Sequence, residues 1–76
     1  MKTRTYHGWT ITPRTFQIRG SGQWTLDLVI IHRTKGRAFS GRKTFGTEQA
    51  AIRACHEFGQ RIIDGLEPYC SVEDMR

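Results

Sequence analysis

Residues 23–33, which read QWTLDLVIIHR, form the stretch that decides the fold. The large apolar side chains on one side of this stretch are Trp24, Leu26, Leu28 and Ile30. Alternation with a period of two predicts a β-strand that buries one face against a core. Val29 and Ile31 fall on the opposite face. These two side chains are expected either to be covered by a neighbouring segment or to lie at the centre of an interface.

Two shorter segments on the N-terminal side also alternate. Residues 6–12 and 15–19 each predict a short strand, and Pro13 between them marks a turn or an edge because proline cannot donate to a ladder. In the second segment, the alternation predicts that Phe16 and Ile18 point inward. The number of strands before Trp24 therefore stays open between one and two.

Turn signals define the rest of the sheet. The sequence Gly20-Ser21-Gly22 predicts a flexible turn before the main strand. Residues 34–36 predict a reversal, after which residues 37–45 return as a partner strand with a bulge at Gly41.

Residues 47–65, TEQAAIRACHEFGQRIIDG, change to a helical rhythm. The apolar side chains that gather on one half of the cylinder are Ala51, Ile52, Cys55, Phe58, Ile62, Ile63 and Leu66. Thr47 is a suitable N-cap, and Gly65 followed by Pro68 marks the end. Gly59 lies on the apolar half, and its missing side chain predicts close approach to an aromatic ring of the sheet.

The order of these elements predicts an α+β domain, with an antiparallel sheet of three or four strands and one long C-terminal helix packed across one face. Residues 1–66 would form this single domain, because 76 residues cannot supply two cores. Residues 67–76 would form a tail, and the side chains expected to pack back from it are Tyr69, Cys70 and Val72.

Charge is distributed unevenly between the two layers. Residues 1–46 contain nine basic side chains and one acid, Asp27, for a formal balance of +8. Residues 47–76 contain three basic side chains and six acids, for a balance of −3. A cationic sheet layer opposite an anionic helix layer indicates an acidic or polyanionic partner for the sheet.

Nucleic acid is the most concrete partner, because arginines suit bidentate contacts with phosphates and base edges. Arg33 and Arg42 are expected on the open sheet face, where they would contact phosphates or bases. The residues expected at its rim are Arg19, Lys35, Arg37 and Lys43. This hypothesis requires that the helix cover the Trp24 row and that the cations gather on the far side. Asp27 opposes it, since a carboxylate repels phosphate.

Protein–protein interaction is the alternative. Val29 and Ile31 would then lie at the centre of a homodimer interface, or of a surface for an acidic protein partner. An ordinary solvated face, with arginines guarding a sheet edge, is the third interpretation.

Two family resemblances can be stated from these residues. The Thr-Phe-x-Thr sequence at Thr44–Thr47 and the Ile-Ile-Asp-Gly sequence at residues 62–65 resemble a family of short, single-domain proteobacterial proteins. That resemblance implies a fold but no assigned activity and no site residues. More loosely, Trp24 and the Phe45-Gly46-Thr47 sequence resemble the N-terminal arm-site-binding domain of tyrosine recombinases. That resemblance implies a three-stranded sheet that lies in the major groove of DNA.

Catalysis is not expected. Cys55 and His56 are adjacent on the helix and diverge by 100°, so the thiol predicts core packing rather than a thiol–imidazole pair. The five cysteines and histidines that could hold zinc (His7, His32, Cys55, His56 and Cys70) lack a recognised ligand spacing. We therefore expect no enzyme activity, cofactor, metal or small-molecule substrate. The N-terminus lacks a hydrophobic signal segment, which predicts a cytoplasmic protein with no membrane partner.

Overall fold

Four antiparallel strands run up and down in the order β1-β2-β3-β4, and one helix packs across the sheet. The elements are β1 (Arg4–Tyr6), β2 (Trp9–Pro13), β3 (Trp24–His32), β4 (Lys35–Phe45), α1 (Glu48–Ile63) and a 3₁₀ turn (Glu73–Met75). This computed structural model describes residues 2–76, so Met1 of the predicted 1–66 unit lies outside it. The predicted α+β class is confirmed, with four strands.

The core forms on the side of β3 that the sequence predicts. Leu26, Leu28 and Ile30 are buried, and Trp24 is half-buried. Ile30 pairs with Ile11 of β2, which places a second buried aliphatic side chain in the same layer. Because α1 packs on β2 and β3, the helix covers the face on which these residues lie.

Both ends of α1 are capped as the sequence predicts. The Thr47 hydroxyl accepts a hydrogen bond from the amide of Ala50 at 3.1 Å. At the other end Gly65 adopts a φ of +76°, and its amide donates to the carbonyl of Ile62 at 3.1 Å. The Leu66 amide donates to the Arg61 carbonyl at 2.9 Å, which completes a Schellman motif.

The predicted strand over residues 6–12 is confirmed from Trp9 onward, where β2 buries Trp9 and Ile11 on one side, but its start at Tyr6 is wrong. The chain reverses at His7 and Gly8, whose φ angles are +49° and +83°, so that Tyr6 pairs with Trp9 across a two-residue turn. Positive φ at both central residues matches the right-handed twist of a hairpin. Histidine at the first of these positions carries no strong turn signal, which hides the reversal in the sequence.

The predicted strand over residues 15–19 is also wrong. Phe16 is 58% exposed rather than inward, whereas Thr15 is buried. The Thr15 hydroxyl donates to the Thr25 carbonyl at 2.6 Å, and the Phe16 amide donates to the Thr25 hydroxyl at 3.1 Å. These side-chain bonds reverse which residues face the core, and only Gln17 forms a bridge to the sheet.

Gly41 lies where the pairing of β3 with β4 shifts register, in agreement with the predicted bulge. It pairs with Leu26, whereas Phe45 pairs with Trp24. A Cβ atom at Gly41 would stand 2.5 Å from Cδ2 of Leu26, so a larger residue here would require the Leu26 side chain to move. The turn between the two strands falls at Arg33 and Thr34, one residue earlier than predicted.

The C-terminal tail completes the core. Val72 and Met75 are buried in the same cluster as the sheet residues, and Cys70 is half-buried. Tyr69, which was expected to pack back, is instead 97% exposed. Within residues 2–76, no helix is long and apolar enough to cross a membrane.

Candidate functional site

The side of the sheet turned away from α1, which we call the outer face, carries one acid and no basic side chain at the strand positions that pairing fixes. Strand register places Thr10 opposite Ile31 and Thr12 opposite Val29 on this side. The positions that strand pairing places on the outer face are Thr5, Thr10, Thr12, Asp27, Val29, Ile31, Gly36, Ala38 and Ser40. None of these positions in the described chain carries a basic side chain. Of the two arginines expected on this face, Arg33 lies in the turn before β4, and Arg42 lies in the stretch of β4 where the pairing with β3 shifts register.

Most of the predicted cations lie along the edge of the sheet that β4 forms. β4 is one of the two edge strands, with β1 at the opposite edge, and it is the longest strand, with 11 residues. We call the basic side chains along it and in the turn that leads into it the basic edge: Arg33, Lys35, Arg42 and Lys43. All four are exposed. Five of the six predicted cations thus belong to one hairpin, because Arg37 also lies in β4.

Arg37 differs from the basic edge because its charge is neutralised. It pairs with Ile30 across the sheet, and its guanidinium donates to the Asp74 carboxylate at 2.9 and 2.5 Å. The hydrogen bond from Arg37 lowers the pKa of Asp74, and the same bond raises the pKa of Arg37. A third bond runs from Arg37 to the Ser71 carbonyl at 3.2 Å. Arg37 therefore holds the tail against β4.

No side chain of the basic edge takes part in a salt bridge within residues 2–76. The other two salt bridges of the described chain join Arg61 to Glu67 and Arg76 to Glu73. Within residues 2–76, no carboxylate lies within 4.0 Å of a basic-edge nitrogen. Arg19 is likewise exposed and without an acidic partner in that range. It lies in the loop before β3, at the end of the sheet where β4 terminates.

Val29 and Ile31 occupy the centre of the outer face. Val29 is half-buried, and Ile31 is 38% exposed. Beside them, Phe16 closes a shallow depression of about 390 Å³ that Val29 and Ala38 line from the strands. Arg14 and Asp27 also line it, so the depression has an apolar base and one charge of each sign.

A second cleft, which we call the tail cleft, opens between the bulged end of β4, the helix and the tail. Its volume is about 730 Å³, and its lining includes Gly41, Arg42, Lys43, Phe58, Tyr69 and Cys70. Arg42 and Lys43 are among the site residues predicted from the sequence, whereas Tyr69 is not. The signal that could have found it is Pro68, which follows the helix stop and stiffens the backbone before the ring.

The Cys55 thiol and the adjacent His56 imidazole are both buried. The Cys55 thiol donates a hydrogen bond to the Asp27 carbonyl at 3.2 Å, and burial raises the pKa of the thiol. His56 Nε2 donates to the Lys2 carbonyl at 3.1 Å. No cluster of metal-binding side chains occurs within residues 2–76.

Comparisons with known proteins add no relative. No protein-family model matches the sequence, and neither the curated proteins nor the solved structures contain a match. The chain's own geometry therefore carries the functional inference.

Proposed function

We propose that the protein binds nucleic acid along the basic edge, as a module without catalytic activity. The observation that carries this proposal is that the free edge of β4 presents four exposed cations and no acidic partner for any of them among residues 2–76. Unpaired cations of this kind release counterions from a polyanion when they neutralise its phosphates.

The length of the basic edge suits a strand of phosphates. Lys35 and Lys43 are eight residues apart in β4, which corresponds to about 26 Å of extended backbone. That distance is roughly the rise of seven or eight nucleotides along one strand of B-DNA. Arg33 extends the row at one end, and Arg19 lies near the other. A backbone lying along β4 would meet cations at both ends of the strand.

The charges on the remaining surfaces also favour nucleic acid lying along β4. The exposed acids of the helix layer are Glu48, Glu57 and Asp64, and the outer face contributes Asp27. These carboxylates repel phosphate from both faces of the sheet, whereas the β4 edge carries only positive charge outside the Arg37–Asp74 pair. The resemblance to arm-site-binding domains implies docking by the sheet face. Because the paired positions of the outer face carry no basic side chain, binding along the β4 edge is favoured instead.

Salt-dependent binding tests this proposal. Fluorescence anisotropy of a labelled DNA of about twenty nucleotides, measured at several salt concentrations, gives the number of phosphates neutralised from the slope of log K against log[salt]. We expect micromolar affinity at low salt. Replacing Arg42 and Lys43 together by glutamine should flatten the slope by about two.

A matched control separates the edge from net charge. Arg53 on the helix and Arg4 on β1 are exposed and in no salt bridge within residues 2–76, and replacing both by glutamine removes the same charge away from β4. This control should keep most of the slope. Equal losses in the two variants, or no detectable binding at low salt, would refute the basic-edge proposal.

Self-association through the outer face is the second candidate function. The observation that favours it is the uncharged centre of that face, where Ile31 and Phe16 remain exposed and Val29 lines a depression. Arg14 and Asp27 border the same depression, and a two-fold axis through it would bring each near its opposite in a second copy. The cations of the basic edge would stay outside such an interface.

Sedimentation velocity tests whether the protein self-associates. A dimer at high concentration that Val29→Glu dissociates would support it, because a buried carboxylate without a partner opposes association. The exposed outer-face substitution Thr5→Glu, at the edge of the sheet, provides the control. A strict monomer at every concentration would remove the candidate.

A further inference from the structure

We infer that the tail cleft receives an unpaired nucleobase, which stacks on Tyr69 while the adjoining phosphates contact Arg42 and Lys43. This inference rests on the proposed function and deepens it, because it names single-stranded nucleic acid as the preferred ligand. The arrangement that carries it is an exposed aromatic ring beside two unpaired cations of the basic edge.

Tyr69 is presented to solvent by an anchored segment. Its side chain is 97% exposed, although tyrosine ordinarily buries much of its ring. The residues on either side are fixed: Glu67 pairs with Arg61 at 2.8 Å, and the Cys70 amide donates to the Glu67 carbonyl at 3.4 Å. Pro68 restricts the backbone immediately before the ring. Little conformational entropy would therefore be lost when a base stacks on it.

The walls of the tail cleft suit a flat aromatic ligand. Phe58, which is buried, lies at the base of the cleft, and the Arg61 guanidinium lies 5.8 Å from its ring centroid. Gly41 contributes backbone with no side chain, packed directly against Leu26. A volume of about 730 Å³ exceeds what one base requires, so a nucleotide and its neighbours' phosphates can enter.

The two cations complete the recognition of a nucleotide. Arg42 and Lys43 line the same cleft as Tyr69, and neither has an acidic partner within residues 2–76. Arg61 is already engaged by Glu67, so it leaves these two side chains as the positive groups free for phosphate. In a duplex the base faces are covered by stacking, which makes them unavailable to Tyr69. A single strand offers both its phosphates and its bases.

The test compares a single-stranded oligothymidylate of about twelve nucleotides with a duplex of the same length, and measures the Kd of wild type, Tyr69→Ala and Tyr69→Phe by anisotropy. Tyr69→Ala should weaken single-strand binding about 5- to 100-fold and leave duplex binding unchanged. The salt slope should not change, because no charge is removed. Tyr69→Phe should bind like wild type, since it keeps the ring.

The outcomes separate this inference from the function on which it rests. Equal single-strand affinity for Tyr69→Ala and wild type, or a loss in Tyr69→Phe as large as in Tyr69→Ala, would overturn base stacking while salt-dependent duplex binding still supported the basic edge. Failure of both probes to bind would remove both proposals. Thymidine 5′-monophosphate should bind at least about 100-fold more weakly than the oligonucleotide, because it reaches only part of the basic edge. Equal affinity would overturn the inference of a strand ligand.

Discussion

Gly59 of α1 lies directly over Ile11 of β2, so closely that no side chain fits between the helix and the sheet. A Cβ atom at Gly59 would stand 2.9 Å from both Cδ1 and Cγ2 of Ile11. The sequence correctly predicted a close approach at this position, but the neighbour is an aliphatic side chain of β2 rather than an aromatic ring. This contact sets the distance between the two layers of the domain.

Replacing Gly59 by alanine should therefore destabilise the protein, although alanine is the better helix former by about 1 kcal/mol. We expect the free energy of unfolding to fall by about 1–3 kcal/mol, because overpacking forces the helix away from the sheet. Urea denaturation measures the change. In combination with Ile11→Ala, which removes the clashing atoms, the loss should be smaller than the sum of the two single losses. Additive losses would contradict direct contact as the cause.

Local signals explain which parts of this fold could be predicted. The helix and both of its caps depend on residues within a few positions of one another, and the main strand depends on strict alternation over residues 23–33. These predictions are confirmed. Segments whose conformation depends on partners distant in sequence were predicted incorrectly. Thr15 is buried because its hydroxyl reaches a carbonyl of β3, a bond that alternation cannot indicate.

In the candidate site, too, some features could be predicted from the sequence and others depended on partners distant along the chain. The sequence indicated which residues are basic and that they belong to the sheet layer. Their location on an edge rather than a face required knowledge that β4 has no neighbour on one side. Pairing between Arg37 and Asp74 joins residues 37 positions apart, so no sequence pattern could indicate that this cation is neutralised.

Arg33 occupies a backbone conformation that favours glycine. Its φ is +58°, in the left-handed region where a side chain costs about 1–2 kcal/mol. Arg33→Gly should raise the free energy of unfolding by about 0.5–1 kcal/mol, after the greater flexibility of glycine in the unfolded chain is subtracted. The urea midpoint checks this.

Thr34→Gly, at the next turn position, provides the control, since Thr34 is not among the residues with positive φ and gains nothing from glycine. The same Arg33→Gly variant should bind DNA less tightly, because it removes one cation from the basic edge. A variant that is both less stable and unchanged in binding would contradict both interpretations.

Met75 anchors the tail in the core, so its truncation should be costly. It is buried with Val72 in the cluster that includes β3, and its carbonyl accepts a hydrogen bond from the His32 ring at 2.8 Å. Met75→Ala should reduce the free energy of unfolding by about 2–5 kcal/mol through loss of buried surface and the cavity left behind. Tyr69→Ala, in the same tail but exposed, should change it by less than about 0.5 kcal/mol. Thermal and urea unfolding of the two variants provide the comparison.

His56 should make the protein less stable at mildly acidic pH. Burial, with a smaller contribution from the charge of Arg4, lowers the pKa of its imidazole below the ordinary value of 6.5. Nδ1 is buried without a hydrogen-bond partner, and the side chains beside it in the adjoining cleft are Lys2, Arg4, Glu48 and Arg53. Protonation would add a charge next to three cations and one acid.

Because the pKa is depressed in the folded state, the unfolded chain binds the proton first as the pH falls. The stability contributed by neutral His56 is thus fully present above about pH 6.5 and is lost progressively below it. His56→Gln keeps a donor for the Lys2 carbonyl but does not titrate. Its free energy of unfolding should fall less than that of wild type between about pH 7.5 and pH 5.5. Parallel pH profiles for the two proteins would contradict this assignment.

Asp74 limits how many cations β4 can offer to a polyanion, because its carboxylate occupies Arg37 in the middle of the strand. Asp74→Asn keeps the shape of the side chain and leaves Arg37 with its full positive charge. We expect DNA binding to strengthen and the salt slope to steepen by about one, since one more phosphate can be neutralised. The paired substitution Glu73→Asn removes the same charge from the neighbouring residue, which pairs with Arg76 rather than with β4. Anisotropy measurements should show a steeper slope only for Asp74→Asn. If the salt slope steepened equally in both variants, the net charge of the protein rather than the position of Arg37 in β4 would govern binding.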